Sequence, residues 1–169
     1  VISEGGFADD IGYVFATPVV TASAGNTVRA AIVSLRPATT FNSLANRSRL
    51  RLDSINMIVT GNSAVYWELC IGSTFSAAPT FAAVNASYSG AEYSSAPGTL
   101  SGAGTVIASG FVTASAQQKE AASSRISAKY PITLDRAGAV RANGTLTLVA
   151  TGLTAASTMQ VSFGFTEVR

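Results

Sequence analysis

The sequence predicts an all-β chain, a single antiparallel sandwich of jelly-roll-like build with eight or nine strands over residues 1–169. Three observations predict it. Short runs rich in Val, Ile, Leu and Phe recur along the chain; within them apolar and polar residues alternate with period two; and no segment sustains the 3.6-residue period of a helix. Strands without helices bury their apolar faces by packing sheet on sheet.

Residues 1–12 carry no strand pattern and read as an N-terminal arm, with Ile2 and Phe7 as apolar anchors around Gly5-Gly6. Such a segment suits ordering on a neighbouring molecule. Val28, Ala30 and Ile32 then alternate with Arg29, Ala31 and Val33 until Arg36-Pro37 stops the run. Strands follow at 48–60 and 64–72. Between them Gly61-Asn62 signals a two-residue hairpin, its first position tolerating φ > 0. Leu50 and Leu52 share one parity, whereas Ile55, Met57 and Val59 share the other. One face cannot hold both sets without an extra residue, so a β-bulge or bend is expected near Asp53-Ser54. In the next strand Val65, Trp67, Leu69 and Ile71 point one way and Tyr66, Glu68 and Cys70 the other, which makes Trp67 a core anchor.

A short strand is expected at 80–88, then a long Ser/Gly/Ala surface loop at 89–104 containing Pro97-Gly98. Residues 105–113 return to strand. The polar stretch 114–124, with Gln117-Gln118-Lys119-Glu120, reads as a loop or one or two helical turns. Residues 127–134 form another strand, placed at a sheet edge by Pro131. Asp135-Arg136-Ala137-Gly138 makes a turn, and Asn143-Gly144 another before a strand at 145–151. Gly152 to Ser157 links that strand to one at 158–167, where Met159, Val161, Phe163 and Phe165 alternate with Thr158, Gln160, Ser162 and Gly164. No repeat or linker divides the chain, and this pattern leaves the strand order open.

Charged residues make up 12% of the chain, about half the usual share of roughly 25%. Ala, Ser, Thr and Gly fill about half of it. A surface so poor in charge suits one that is covered by other protein, because charge is depleted at interface cores; a small-residue β-protein would share the composition. The net charge of +2 is too small to argue for nucleic acid, and the aromatics are not interleaved with basic residues. No stretch approaches the roughly 20 apolar residues of a membrane helix, so a soluble or peripheral chain is expected. Val1 to Gly6 shows no basic or apolar region of a signal peptide, and an initial Val fits either removal of a Met or cleavage of a precursor.

Catalysis is not expected. The chain has no histidine, which removes the His-dependent triads and metal sites. Cys70 has no internal disulfide partner and no histidine to activate it, so it reads as a packed thiol. The nine carboxylates are scattered, with only Asp9-Asp10 adjacent, and no glycine loop followed by Lys could cradle phosphate. No catalytic, cofactor-binding or metal-ligating residue is assigned.

Arg47, Arg49 and Arg51 are the one pointed charge pattern. In an extended chain they lie on one face about 7 Å apart. They suit a solvated face, pairing within the subunit, bidentate contact with a neighbouring subunit's carboxylates, or a polyanion. Together with Ile2 and Phe7 they are the candidate inter-subunit contacts. Three Asn-X-Ser/Thr triplets begin at Asn46, Asn85 and Asn143, as chance allows in so Ser- and Thr-rich a chain. Tyr13, Tyr88 and Tyr93, if exposed, could stack on a host glycan.

The run Thr27-Val28-Arg29-Ala30-Ala31-Ile32-Val33-Ser34-Leu35-Arg36-Pro37, with Phe41-Asn42 and Asn46-Arg47, resembles a pattern in virion structural proteins of tailed bacteriophages. Thr60-Gly61-Asn62-Ser63-Ala64-Val65-Tyr66-Trp67-Glu68-Leu69 resembles it too, as do Val84-Asn85, Ala91-Glu92-Tyr93 and the run from Gly104 to Val112. The likeness covers most of the chain from Thr27 onward. It implies a β-sandwich module of the capsid-decoration, head-fibre or tail-fibre kind on the virion exterior. Its partners would be copies of itself, often as trimers, and the major capsid or another virion protein. It implies no catalytic residue.

Overall fold

The longest clean alternation in the sequence, from Met159 through Phe165, lies in the strand around which half of the structure is built. The computed structural model describes residues 12–113, 121–125 and 131–169, and none of these is helical. In chain order the strands are β1 (Tyr13–Ala16), β2 (Val20–Asn26), β3 (Ala30–Pro37), β4 (Thr40–Phe41), β5 (Leu44–Ala45), β6 (Arg49–Val59), β7 (Val65–Ile71) and β8 (Thr74–Phe75). There follow β9 (Ala82–Ala83), β10 (Ala91–Ser94), β11 (Leu100–Gly102), β12 (Thr105–Val112), β13 (Ala121–Arg125), β14 (Pro131–Ile132), β15 (Leu146–Gly152) and β16 (Ser157–Val168).

Twelve strands form one continuous hydrogen-bonded network with two ranks. The first runs β13–β6–β16–β2, with β14 also on β6 and β1 continuing the line of β2 along β16. The second runs β12–β7–β15–β3–β10–β9. Pairing is antiparallel except where the end of β2 meets β15, Thr151 opposite Gly25 and Gly152 opposite Asn26. The pairs are nested in sequence: β2 with β16, β3 with β15, β6 with β13, β7 with β12. Both ranks feed one apolar core, with Leu52, Ile55 and Phe163 from the first and Trp67, Leu69 and Leu148 from the second.

The phase change in β6 resolves as expected. Gly164 pairs with Ser54 but Phe165 pairs with Leu52, so Asp53 is the extra residue of a bulge. Leu50 and Leu52 before it, and Ile55, Met57 and Val59 after it, are all buried. Trp67 is a core residue, as its parity predicts.

Other expectations need correction. Sixteen strands, not eight or nine, occur among the described residues, many only two residues long. The arm at 1–12 is followed at once by β1 and β2, which the sequence did not announce; residues 1–11, with Ile2 and Phe7, lie outside the described residues. Gly61-Asn62 does not make a hairpin, because β6 pairs through Val59 with Met159 while β7 pairs through Val65 with Gly152 in the other rank. Gly61 serves close approach instead: a Cβ there would strike the Ser157 hydroxyl. The two-residue hairpin lies at Asn42-Ser43 between β4 and β5, both with left-handed φ of 49° and 63°.

The expected loop at 89–104 contains β10 and β11, whose pairings hold small residues that strand propensity disfavours. Of the strand expected at 80–88 only Ala82–Ala83 pairs, because the Asn85 side chain caps a turn by accepting from the amides of Ser87 and Tyr88. In the stretch 114–124, residues 121–124 belong to β13 and 114–120 lie outside the described residues. Of the strand expected at 127–134, β14 at Pro131–Ile132 pairs with β6, and 126–130 lie outside the described residues. The Asp135–Gly138 turn forms, closed by the Gly138 amide on the Asp135 carbonyl at 3.1 Å.

Inserting one residue between Ile55 and Asn56 should move Asn56 through Val59 onto the opposite face and abolish cooperative folding. Asp53→Ala, which keeps the bulge, should cost no more than about 2 kcal/mol. Urea unfolding followed by circular dichroism separates the two.

Candidate interaction surface

The parity that buries Phe163 and Phe165 carries Glu167 inward as well. Its carboxylate is fully buried at one end of the core. It accepts from the Ser89 hydroxyl at 2.8 Å, from the Gly90 amide at 3.1 Å and from Arg169 Nε at 2.8 Å. Asn46, also buried, donates its amide to the carbonyls of Ala38 and Gly90 and accepts from the Ser48 amide. One buried acid and one buried amide therefore tie three segments together: the loop around β4 and β5, the turn before β10, and the end of β16.

On the outside of this knot sits Arg169. Its guanidinium donates to the Tyr88 carbonyl and lies 4.4 Å from the Phe41 ring centroid and 5.3 Å from that of Tyr13. Tyr13, Leu44 and Tyr88 around it are exposed, Leu44 at 72%. Phe41, Leu44, Arg47 and Arg169 line a shallow, mainly apolar groove of about 210 Å³. Beside it Arg47, Ser48, Thr133 and Arg136 line a more polar cavity of about 200 Å³.

The candidate residues sort as follows. Arg47, Arg49 and Arg51 are exposed and alternate with buried Ser48, Leu50 and Leu52, so they share one face as the sequence predicts. Arg51 pairs with Asp53 at 3.1 Å, an exposed contact of small worth. Arg47 and Arg49 have no acidic partner among the described residues. Tyr13 and Tyr88 are exposed, but Tyr93 packs against the core, a correction to the expected exposed trio. Asn46 is committed to internal hydrogen bonds, which removes its triplet as a free acceptor.

Sequence reasoning missed Glu167, Arg169, Phe41 and Leu44. Glu167 was legible, because it continues the parity of Met159 through Phe165. Arg169 and the β4–β5 hairpin had no pattern to announce them.

Elsewhere Glu68 is buried and bonded to Arg29 at 2.6 Å. Two residues on, Cys70 is fully buried. Burial, reinforced by the Glu68 charge and opposed by Arg29, pushes its thiol up to about 11, so it is protonated at neutral pH. No group of three or more His, Cys, Asp or Glu suited to a metal occurs among the described residues. No helix there is long and apolar enough to cross a membrane.

No protein-family model matches the chain, and neither a characterised protein nor a solved structure matches it significantly.

Two measurements follow. Glu167→Ala should cost about 3 kcal/mol in urea unfolding, because it strips the acceptor from buried Ser89 and Gly90; Arg169→Ala, on the exposed side, should cost less. The Cys70 thiol is raised, so its contribution is whole below about pH 9 and is lost between about pH 9 and 11, where the unfolded chain ionises and the folded one resists. The melting temperature of the parent should fall more steeply over that window than that of Cys70→Ala.

Proposed function

We propose that the chain is a non-enzymatic structural protein of a phage virion, a jelly-roll sandwich that assembles by protein–protein contact as a capsid decoration or fibre component. The observation that carries this reading is the nesting of the strand pairs. Taking β2, β3, β6, β7, β12, β13, β15 and β16 as the eight principal strands, one layer holds the first, eighth, third and sixth. The other holds the second, seventh, fourth and fifth, extended by β10. That order supports a jelly roll, the wrapping of four nested hairpins used in viral capsid and lectin domains. Fold alone does not assign function. The assembly reading is supported by the low charge and by large apolar side chains left in solvent, among them Val14, Leu44 and Phe111.

The mechanism is adhesion. A standard interface removes about 800 Å² per partner, and small side chains allow close approach. The resemblance to phage virion proteins favours a homo-oligomer, a trimer above all, seated on the major capsid or another virion protein at the particle exterior. A glycan-binding fibre tip is the second reading, favoured by exposed Tyr13 and Tyr88 at one end.

Copy number per purified particle, measured by quantitative mass spectrometry against the major capsid protein, tests the first reading. Hundreds of copies are expected for a decoration protein and a handful to a few dozen for a fibre. Absence from particles overturns it. A glycan array with no hits overturns the second.

A further inference from the structure

Four of the described acids already have an arginine: Asp53 with Arg51, Glu68 with Arg29, Glu92 with Arg36, Glu167 with Arg169. Arg47, Arg49 and Arg136 have no carboxylate among the described residues, and Arg47 and Arg136 line one cavity. In the wall of that cavity is Ser48, 3% exposed, whose buried hydroxyl has no hydrogen-bond partner. An orphaned donor in one cavity wall with two unpaired arginines calls for an oxygen acceptor that carries negative charge. The apolar groove with Phe41 and Leu44 shares Arg47 and Ser48 with it and calls for an apolar side chain beside that charge.

The sequence contains one segment of that composition. Residues 1–11 hold Glu4, Asp9 and Asp10 with no Lys or Arg, and Ile2, Phe7 and Ile11 among them. Of the chain's eleven basic and nine acidic residues, all the basic ones and six acids lie elsewhere, so segment and body carry opposite charge.

We propose that residues 1–11 of a second copy dock here, Asp9 and Asp10 meeting Arg47, Arg136 and the Ser48 hydroxyl, and Phe7 entering the groove beside Leu44. The inference rests on the assembly reading above and supplies its contact. A second copy is chosen over the chain's own segment because the assembly reading calls for a contact between copies, and a link closed within one copy is kept as an overturning outcome below. The described chain starts at Gly12 beside β16, and Arg169, bonded to Glu167 and Tyr88 and lying over Tyr13 and Phe41, lines the groove on that side. Eleven extended residues reach about 35 Å, enough to cross to a neighbour. Reciprocal docking of two segments makes a closed twofold pair, and one-way docking makes a ring where the rotation closes.

The test is charge exchange in the full chain, read by light scattering across a concentration series. Arg47→Glu with Arg136→Glu should raise the concentration for half-dissociation at least tenfold. Asp9→Lys with Asp10→Lys should do the same, and the four changes together should restore it to within about threefold. Oxidation of a chain carrying Asp10→Cys and Arg47→Cys should give disulfide-linked multimers on non-reducing gels. A link closed within one copy, no link, or a parent chain that stays monomeric overturns the docking. An oligomer indifferent to the charge changes overturns it and leaves the assembly reading standing. Charge-swap rescue with no copies on purified particles supports the docking and overturns the virion reading.

Discussion

β16 is bonded along both edges, to β6 on one side and to β2 then β1 on the other, and that double pairing constrains everything around it. Side chains alternate strictly along a strand, so its twelve residues fix which face is the core face for each strand in register with them. β6 could not comply with uninterrupted pairing, since its two apolar sets have opposite parity. The extra residue at Asp53 reconciles them. Gly164 stands opposite the bulge, where a Cβ would meet the Ser54 hydroxyl, so the glycine makes room for the displaced strand. Asp53 and Gly164 are two halves of one device, and the burial of Leu50, Leu52 and Ile55 depends on it.

The same parity has a cost at its far end. Two residues beyond Phe165 it turns a carboxylate inward, and an ionised acid without water is expensive unless fully hydrogen-bonded. Three donors from two segments meet it. The Glu167 knot fixes the turn before β10 and the position of Arg169, and through Arg169 the rings of Tyr13 and Phe41. Geometry at the candidate surface is thus inherited from core alternation rather than set by the exposed loops themselves.

What could be read in advance follows from the range of the interactions involved. The bulge at Asp53, the placement of Trp67 and the outward stripe of Arg47, Arg49 and Arg51 are properties of parity, which is local. Pairing partners are not local. Gly61-Asn62 carries a hairpin signal, yet β6 ends against Met159 and β7 begins against Gly152, in different ranks and far from Gly61 in sequence. The hairpin that does form, at Asn42-Ser43, lacks glycine and so sent no comparable signal. β10 was hidden in Ser/Gly-rich sequence because its pairing comes with Arg36 meeting Glu92 and Tyr93 packing on the core, contacts supplied by β3 and the interior, and β11 because its partner is the distant β8. Half of the candidate surface was legible for the same reason: the arginines lie on a strand, whereas Leu44 and Arg169 belong to a hairpin and a strand end.

The second rank changes how the low charge should be weighed. Along β3, β7 and β15 both parities are largely buried, and Cys70 and Val149 are fully buried although they lie outside the core cluster. Between them the hydroxyls of Ser34 and Thr147 bond each other at 2.9 Å, out of contact with water. A sheet covered on both faces has little use for Lys or Glu, so part of the charge deficit is explained within a single copy. What it does not explain are Val14, Leu44, Tyr88 and Phe111, large and exposed on strands and turns that the fold holds in place. Those side chains, with unpaired Arg47 beside Leu44, therefore weigh more for the proposed covering partner than composition does.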